Sequence, residues 1–442
     1  MKTLTKGNPI KLILIFAIPL FIGQLFQLFY SLVDTRIVGS TLGEASLAAV
    51  GATTSLSDLF VSLMNGLTNG FAIIVATYFG ASDEKNLKKS VAATFLLGIG
   101  GALLFSVLCL IFLHPILHLL NIPDAIMADS IAYIRIILMG LVAATLYNIC
   151  SAVLRALGDS FTPLFFLIFS TILNIFLDYF FILFMHMGVS GAALATVLSQ
   201  LCSAILCFVY MNRKYPLLRL CGSDFHIPHS MLRRILSTGI SMGFMVSFVY
   251  FGTLALQTSI NTFGTQIIVA HTAARKATSI FMLPFGVFGT TLATYCGQNL
   301  GAGEYKRIKT GMIETILVTW GWCILVLIVA YTISPFLITM ITGSHDPVIL
   351  QTATKYLHIN TIFYFIPTMI TLIRNSMQGF GDNITPIFSS AVELIGKILV
   401  AMFLAPAIGY MGIIVAEPIV WALMVIPLLI QLFRSSVLKM AK

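Results

Sequence analysis

Charged side chains are scarce in this chain of 442 residues: Asp, Glu, Lys and Arg together make up 9% of it, whereas hydrophobic residues make up 58%. Soluble globular domains contain about 25% charged residues, so this composition excludes an ordinary soluble protein. The mean hydropathy of +0.99 indicates instead an all-α polytopic membrane protein whose helices cross the bilayer.

Motifs of enzymes and metalloproteins are also scarce. The seven cysteines form no C-x-x-C pair, and the eight histidines are scattered without an H-E-x-x-H motif. We therefore expect no disulfide framework, no cofactor and no enzymatic activity.

The net charge of +9 could indicate nucleic acid binding, so the location of the cations matters. If the N-terminus is cytoplasmic, most of the 25 Lys and Arg residues fall in the segments between spans that face the cytoplasm. This is the positive-inside bias of membrane proteins. We therefore expect the lipid bilayer, and no nucleic acid, as the partner of these cations, with both termini cytoplasmic.

Twelve apolar runs are long enough to be transmembrane helices. They cover residues 10–38, 46–79, 90–113, 127–154, 161–184, 190–211, 233–261, 268–297, 310–340, 350–376, 384–405 and 411–433. An even number of spans agrees with both termini lying on one side of the membrane.

An internal repeat divides these runs into two halves. The pattern G-D-x-x-T-P occurs at 158–163 and again at 381–386, and a Gly-Ala pair followed by lysines occurs at 80–88 and again at 301–309. Because six runs separate the copies, both halves keep the same orientation, as in parallel-repeat transporters. We predict two pseudo-symmetric six-helix lobes, 1–211 and 231–442, joined by a cytoplasmic loop at 212–230.

A polar stripe interrupts the first apolar run. Gln27, Tyr30 and Asp34 follow a 3-then-4 spacing and therefore share one helix face. A carboxylate at membrane depth costs about 2.5–3.5 kcal/mol on insertion scales. Such a stripe is typical of a helix that faces a protein interior or a water-filled cavity.

The fifth and sixth runs contain partners for Asp34. Asn174 and Asp178 are one helical turn apart, and Thr196 places a hydroxyl at a comparable depth. Two carboxylates, an amide and a hydroxyl can bind a small cation such as Na⁺ through oxygen ligands, or can share a proton. The alternative, that each group only forms a helix–helix hydrogen bond, stays open at this stage.

The second lobe has no acid near the positions that correspond to Asp34 and Asp178, because the repeat offset of about 222 leads to the neighbourhoods of Ala255 and Ala401 and neither contains an acid. A purely structural need would favour acids in both halves. We therefore predict that the cation site belongs to the first lobe.

Further charges in the second lobe allow two interpretations. Glu393 and Lys397 are four residues apart, a favourable order for an ion pair, and they form either a structural pair or part of a substrate cavity. Glu417 precedes a proline early in the last run, and we expect it at the membrane interface.

Two features of the first lobe also stay open. Asp58 either joins the Asp34 group or pairs with Arg36 or Arg135. Pro19 lies in the same predicted helix as Asp34, and because proline removes a helical hydrogen bond, it is either a hinge or an ordinary transmembrane proline.

Together the twelve spans, the two lobes, the repeated G-D-x-x-T-P motif and the polar residues around Asp34 and Asp178 resemble a bacterial multidrug and toxic compound extrusion (MATE) transporter, most similar to the DinF-like branch. The resemblance implies cation coupling through Asp34, Asn174, Asp178 and Thr196. It also implies that Tyr30, Tyr133 and Asn148 line the surroundings of this site, with Gln27 on the same polar face, and that Pro19 is a bend in the first helix. The NorM-like branch has acids in its seventh and tenth spans, and residues 240–260 and 355–377 contain none.

The predicted function is a secondary antiporter that exports amphipathic, cationic drugs or metabolites in exchange for H⁺ or Na⁺. The predicted location is the bacterial cytoplasmic (inner) membrane, and the expected state is a monomer. The alternative is a flippase for a lipid-linked precursor or polysaccharide, which requires a cationic cavity.

Overall fold

The computed structural model describes residues 3–119 and 122–440, without the side chains at positions 44, 45, 55 and 119. Both termini are predicted to be cytoplasmic, and they include residues outside this range. Helices account for nearly all of the described residues, and no strand occurs among them. The chain divides into two compact units: Ile15–Gly243 forms most of one, and Leu4–Leu14 with the chain from Phe244 onwards forms the other.

The helices of the first half are α1 (Pro9–Leu42), α2 (Glu44–Gly80), α3 (Glu84–Ile111), α4 (Leu113–Leu119), α5 (Asp124–Ala156), α6 (Phe161–Tyr179) and α7 (Val189–Lys214). A π-helical turn, Phe180–Phe184, extends α6. Two short 3₁₀ turns, Pro216–Leu218 and Gly222–Phe225, lie in the connection that follows α7.

The helices of the second half are α8 (His229–Ile260), α9 (Thr265–Gly301), α10 (Tyr305–Thr342), α11 (Pro347–Ile362), α12 (Phe365–Gly379), α13 (Ile384–Leu399), α14 (Ala405–Ile408), α15 (Tyr410–Arg434) and α16 (Ser436–Lys439). A 3₁₀ turn, Asn261–Phe263, ends α8. A π-helical turn, Val400–Leu404, extends α13.

Eleven helical segments in the described part of the chain are long and apolar enough to cross a membrane. The pair α11 and α12, bent by 56° at a short break, brings the number to twelve when it is counted as one span. The predicted twelve-helix polytopic fold is therefore confirmed.

Backbone geometry repeats between the halves. Gly43 and Gly264 precede α2 and α9 with φ of 85° and 89°, and Gly188 and Gly409 precede α7 and α15 with φ of 59° and 64°. A side chain is disfavoured at positive φ, so glycine is required at these turns. Both pairs are displaced by 221 positions, so the halves have the same helix starts as well as similar motifs.

The G-D-x-x-T-P motif adopts one structure in both copies. Asp159 accepts hydrogen bonds from the Thr162 amide and hydroxyl at 3.0 and 2.7 Å, and Asp382 accepts from the Thr385 amide and hydroxyl at 3.1 and 2.9 Å. These bonds satisfy amides that the first turns of α6 and α13 leave free. The motif thus sets where each of these helices begins.

The start of α1 belongs to the second unit. Leu4 donates its amide to Gln298 at 2.8 Å, and Arg307 donates to the carbonyl oxygens of Leu4 and Gly7 at 3.2 and 2.7 Å. The first residue of α1 is Pro9. The preceding residue, Asn8, accepts a hydrogen bond from the Lys11 amide at 3.2 Å, which is the expected arrangement of an N-cap followed by proline.

Residues outside the motif also stabilise the Asp159 carboxylate. Burial raises the pKa of Asp159, but hydrogen bonds from Tyr215 (2.5 Å) and Thr162, with the Lys214 ammonium at 3.4 Å, outweigh burial and hold this pKa below its ordinary value. A carboxyl group with a lowered folded-state pKa stabilises the fold above its unfolded pKa of about 3.9, and this contribution disappears as the pH falls through the folded-state value.

We expect Asp159→Asn to lower the free energy of unfolding at pH 7 by about 1–3 kcal/mol, because Asn can still cap α6 but loses the charged acceptor of Tyr215. Unfolding in mixed micelles, compared at pH 7 and near pH 3, measures the effect, and the difference from the unsubstituted protein should shrink at the lower pH. The matched control is Asp382→Asn, which replaces the same cap in the second repeat and should cost less. Equal costs for the two substitutions would contradict the role given to Tyr215.

Candidate functional site

Two helices of the first unit supply the predicted acids. α1 presents Tyr30 and Asp34, both half-buried, and α6 presents Asn174 and Asp178, which are 1% and 0% exposed. The i, i+4 spacing places each pair one turn apart on one helix face. Fully buried polar side chains in apolar helices are costly unless the protein supplies partners for them.

Asp34 and Asp178 are partners of one another. Their carboxyl groups lie close enough for the charge of each to act on the other. Two carboxylates cannot donate to each other, so the contact needs either a proton on one of them or a cation between them. The buried Oδ1 atoms of Asp34 and Asp178 receive no hydrogen bond from any residue that the structure describes, which fits oxygen ligands for a small cation.

Asn174 and Thr196 complete this group. With its amide nitrogen turned to Asp178, Asn174 donates to Asp178 Oδ2 at 3.0 Å and accepts from the Thr196 amide at 3.2 Å. The Thr196 hydroxyl lies 3.2 Å from the Tyr30 hydroxyl. A single connected group thus contains Tyr30, Asp34, Asn174, Asp178 and Thr196, from three helices. We call this group the acidic-pair site.

Apolar packing positions the site. Ile37 and Val38 of α1 pack in one core cluster with Tyr133 of α5, Ile182 after α6 and Val189 of α7. These residues adjoin the polar positions in sequence, so their packing fixes the helices that present the acids. The ring of Tyr133 is close enough to Asp34 and Asp178 to interact with their charge.

Other predicted residues lie apart from this group. Gln27 is exposed on α1. Asn148 lies fifteen positions after Tyr133 on α5, which corresponds to about 22 Å along a helix, and it has no hydrogen bond to the acidic-pair site in the described part of the chain. Pro19 is buried inside α1, which continues without a break from Pro9 to Leu42.

Asp58 forms neither of the two predicted ion pairs. It is exposed on α2, and within residues 3–119 and 122–440 it forms no ion pair with Arg36 or Arg135. Asp58 is nevertheless near enough to Tyr133 for its charge to act on that side chain.

A second group of charges is larger than the sequence indicates. Lys397 donates to Glu393 at 2.9 Å and lies 3.9 Å from Glu417, Arg374 lies 3.5 Å from Glu393, and Arg275 lies 3.1 Å from Glu417. We call these five residues the five-charge cluster.

The predicted Glu393–Lys397 ion pair is thus present, but it is part of a longer chain of ion pairs. Glu417, which is predicted to lie at the membrane interface, is only 7% exposed and is paired with Arg275. Arg374 is likewise only 6% exposed. Sequence periodicity could not connect Arg275, Arg374 and Glu417 to the Glu393–Lys397 pair, because these three residues lie on other helices.

The acidic-pair site can hold either a proton or a small cation, because it contains two carboxyl groups with unfilled acceptor capacity and hydroxyl oxygens from Tyr30 and Thr196. No group of three or more His, Cys, Asp or Glu residues with metal-binding geometry occurs in the described part of the chain. A weakly held, exchangeable ion suits this donor set better than a tightly held transition metal.

Comparison with known proteins agrees with the repeat and the fold. The MatE family model matches the chain twice, over residues 19–180 and 241–403. The chain is 30% identical to the probable multidrug resistance protein YpnP of Bacillus subtilis over 310 residues, which cover 69% of this chain and 68% of that protein.

Solved structures of similar fold exist at lower sequence identity. One is described as an outward-facing conformation of a multidrug resistance MATE family transporter of the MOP superfamily; it matches with a TM-score of 0.89 at 22% identity and covers all of both chains. Another, described as MATE in the bent conformation, matches with a TM-score of 0.88 at 22% identity and covers 99% of this chain and 97% of that one.

The hydrogen bond between Tyr30 and Thr196 can be tested by a double-mutant cycle. We expect Tyr30→Phe and Thr196→Val to show a coupling free energy of about 0.5–1.5 kcal/mol in denaturant unfolding, because each substitution removes the same bond. The control is Tyr147→Phe, which loses a 2.8 Å bond to the Pro163 carbonyl elsewhere in the unit and should be additive with Thr196→Val. Additivity of the first pair would show that the two hydroxyls do not interact.

Proposed function

Because the chain belongs to the MatE family of multidrug efflux transporters, we propose that it is a secondary antiporter that exchanges an amphipathic compound for H⁺ or Na⁺ through the acidic-pair site. Members of this family are transporters and not enzymes, as the sequence predicted. The observation on which the proposal rests is the acidic-pair site itself, in which the close carboxyl groups of Asp34 and Asp178 have buried Oδ1 atoms that receive no hydrogen bond from the described residues.

Coupling follows from the chemistry of that contact. When the pair holds one proton or one Na⁺, the repulsion between two carboxylates is relieved and the site is compact. When the ion leaves, two negative charges remain in a dry site, which favours a conformation that admits water. By linkage, ion and substrate must favour opposite conformations for exchange to occur. One charge that moves down 100 mV releases about 2.3 kcal/mol.

The remaining parts of the proposal are the predicted substrates, location and assembly. We propose amphipathic, cationic compounds as substrates, the bacterial cytoplasmic membrane as the location, with both termini cytoplasmic, and a monomer as the working unit. The abundance of apolar side chains supports substrates with a large apolar part. Curated relatives described as multidrug resistance proteins support drugs as the substrate class.

Pro19 is proposed as the hinge of α1. It lies fifteen residues before Asp34 in one continuous helix, and it removes a main-chain hydrogen bond from that helix. A structure of similar fold is described as a bent conformation. A change in the charge of Asp34 could therefore be accommodated by bending at Pro19.

A flippase for a lipid-linked precursor is the second candidate. One observation favours it, namely the presence of three cations in the five-charge cluster of the second unit, because a phosphate-bearing lipid needs positive charge inside the protein. Reconstituted vesicles distinguish the two functions: dye efflux that depends on an ion gradient supports the antiporter, and gradient-independent movement of fluorescent phospholipid supports the flippase.

We expect Asp34→Asn to abolish ion-driven efflux, because an amide can neither release a proton nor balance Na⁺, and transport should fall at least about 100-fold in proteoliposomes. Imposing ΔpH and ΔNa⁺ separately on the unsubstituted protein identifies the coupling ion.

The matched control is Asp129→Asn, which removes an exposed carboxylate of the same unit and should leave efflux unchanged. Size-exclusion profiles and unfolding temperatures of both variants should match the parent, so that loss of transport is not loss of fold. Efflux at the parental rate in Asp34→Asn would refute coupling through this site.

A further inference from the structure

The second repeat has replaced the acidic-pair site by groups of opposite charge. At matching positions, counted from equivalent helix starts, Asn174 of α6 corresponds to Lys397 of α13, and Thr196 of α7 corresponds to Glu417 of α15. The same count pairs Thr54 of α2 with Arg275 of α9. By the same count Asp178 corresponds to Ala401, and Asp34 corresponds to Leu254, which is next to Ala255.

The exchange reverses the charge of this location. In the first repeat the two acids contribute two negative charges. In the second, Arg275 and Lys397 outweigh Glu417 by one positive charge, and the neighbouring Arg374–Glu393 pair is neutral. A buried excess of positive charge is costly, so its retention inside apolar helices points to a negatively charged partner.

A cavity of about 230 Å³ opens beside these groups within the second unit. Its wall includes Arg275, Lys276 and Glu417, together with Gln257, His271 and Tyr356. This volume lies below the range of about 300–1,000 Å³ that holds whole drug-sized molecules. It suits a single headgroup or small organic acid.

Donors toward the cavity are available on its two cations. Arg275 uses one guanidinium nitrogen on Glu417 at 3.1 Å and also interacts with the Tyr356 hydroxyl; its side chain is 32% exposed, and a guanidinium has five N–H donors. Lys276 is exposed and makes no hydrogen bond or ion pair within the described residues. By contrast, the hydroxyls of Thr272 and Ser279 already donate to carbonyl oxygens of their own helix.

We propose that this cavity is an oxyanion site, which binds a carboxylate or phosphate group through Arg275 and Lys276. The guanidinium fork matches two oxygens of such a group. Without a bound anion, Arg275 is paired with Glu417. When an anion binds to Arg275, Glu417 still has Lys397, 3.9 Å away, as a partner. The proposal concerns a ligand site of the second unit and does not depend on the coupling role of the acidic-pair site.

The test measures ligand-dependent thermal unfolding of the full chain in detergent. The probes are inorganic phosphate, benzoate and dioctanoyl phosphatidylglycerol, each compared with KCl at equal ionic strength. We expect a saturable rise in the unfolding temperature with an oxyanion and little rise with chloride. Stronger action of the phospholipid identifies a lipid headgroup as the source, and equal or stronger action of benzoate or phosphate identifies a free acid. Equal effects of chloride and all three probes would overturn the proposal.

Charge variants test whether Arg275 and Glu417 control oxyanion binding or only stabilise the fold. Arg275→Gln should weaken oxyanion binding at least 10-fold. Glu417→Gln should strengthen it by about 10-fold, because the competing carboxylate is gone, and added phosphate should restore the stability that this variant loses. Lys309→Gln, which removes an exposed cation of the same unit, is the control and should behave like the parent.

Arg275→Gln could fail to fold, because it leaves Glu417 without its guanidinium partner. The double variant Arg275→Gln with Glu417→Gln removes both charges and provides the second measurement; it should bind oxyanions at least 10-fold more weakly than Glu417→Gln alone. If Glu417→Gln binds oxyanions no more tightly than the parent, or if the double variant retains its affinity, the cluster is structural and the oxyanion site is refuted.

Discussion

A polar or charged side chain within an apolar helix must find its partner inside the protein or in a water-filled cavity, because lipid offers none. The Asp34–Asp178 contact is the clearest consequence of this constraint in the first unit. Asn174, Thr196 and Tyr30 extend it into a group that links three helices. The second unit meets the same constraint with a chain of ion pairs from Arg275 to Arg374.

The two repeats show how one scaffold accommodates different chemistry. Their turns use glycines at matching positive φ values, and Asp159 and Asp382 cap equivalent helices with the same hydrogen bonds. These features lie at the helix ends, where backbone N–H and C=O groups have no partner within the helix and specific residues supply their hydrogen bonds. The side chains at membrane depth are not needed for the backbone hydrogen bonds at helix ends, so they differ between the repeats in type and in charge.

Much of the fold could be predicted because its signals are local. Each transmembrane run is a continuous stretch of apolar residues, and the bent pair α11 and α12 was predicted as one span. The acidic-pair site was predicted in part, since Asn174 and Asp178 are one turn apart and Asp34 interrupts an apolar run. Asn148 was included on family resemblance alone, and it lies about four turns away along α5 from Tyr133.

By itself the sequence determined the number of spans, the repeat and the location of the costly acids, because hydropathy, turn chemistry and periodicity are properties of neighbouring residues. Apart from the Glu393–Lys397 pair, only the tertiary structure decided which charges meet. Arg374, Glu417 and Arg275 are distant in sequence from one another, and no periodic pattern relates residues on different helices. Their ion pairs depend on the packing of α9, α12, α13 and α15 within the second unit, which brings the side chains within 4 Å of their partners.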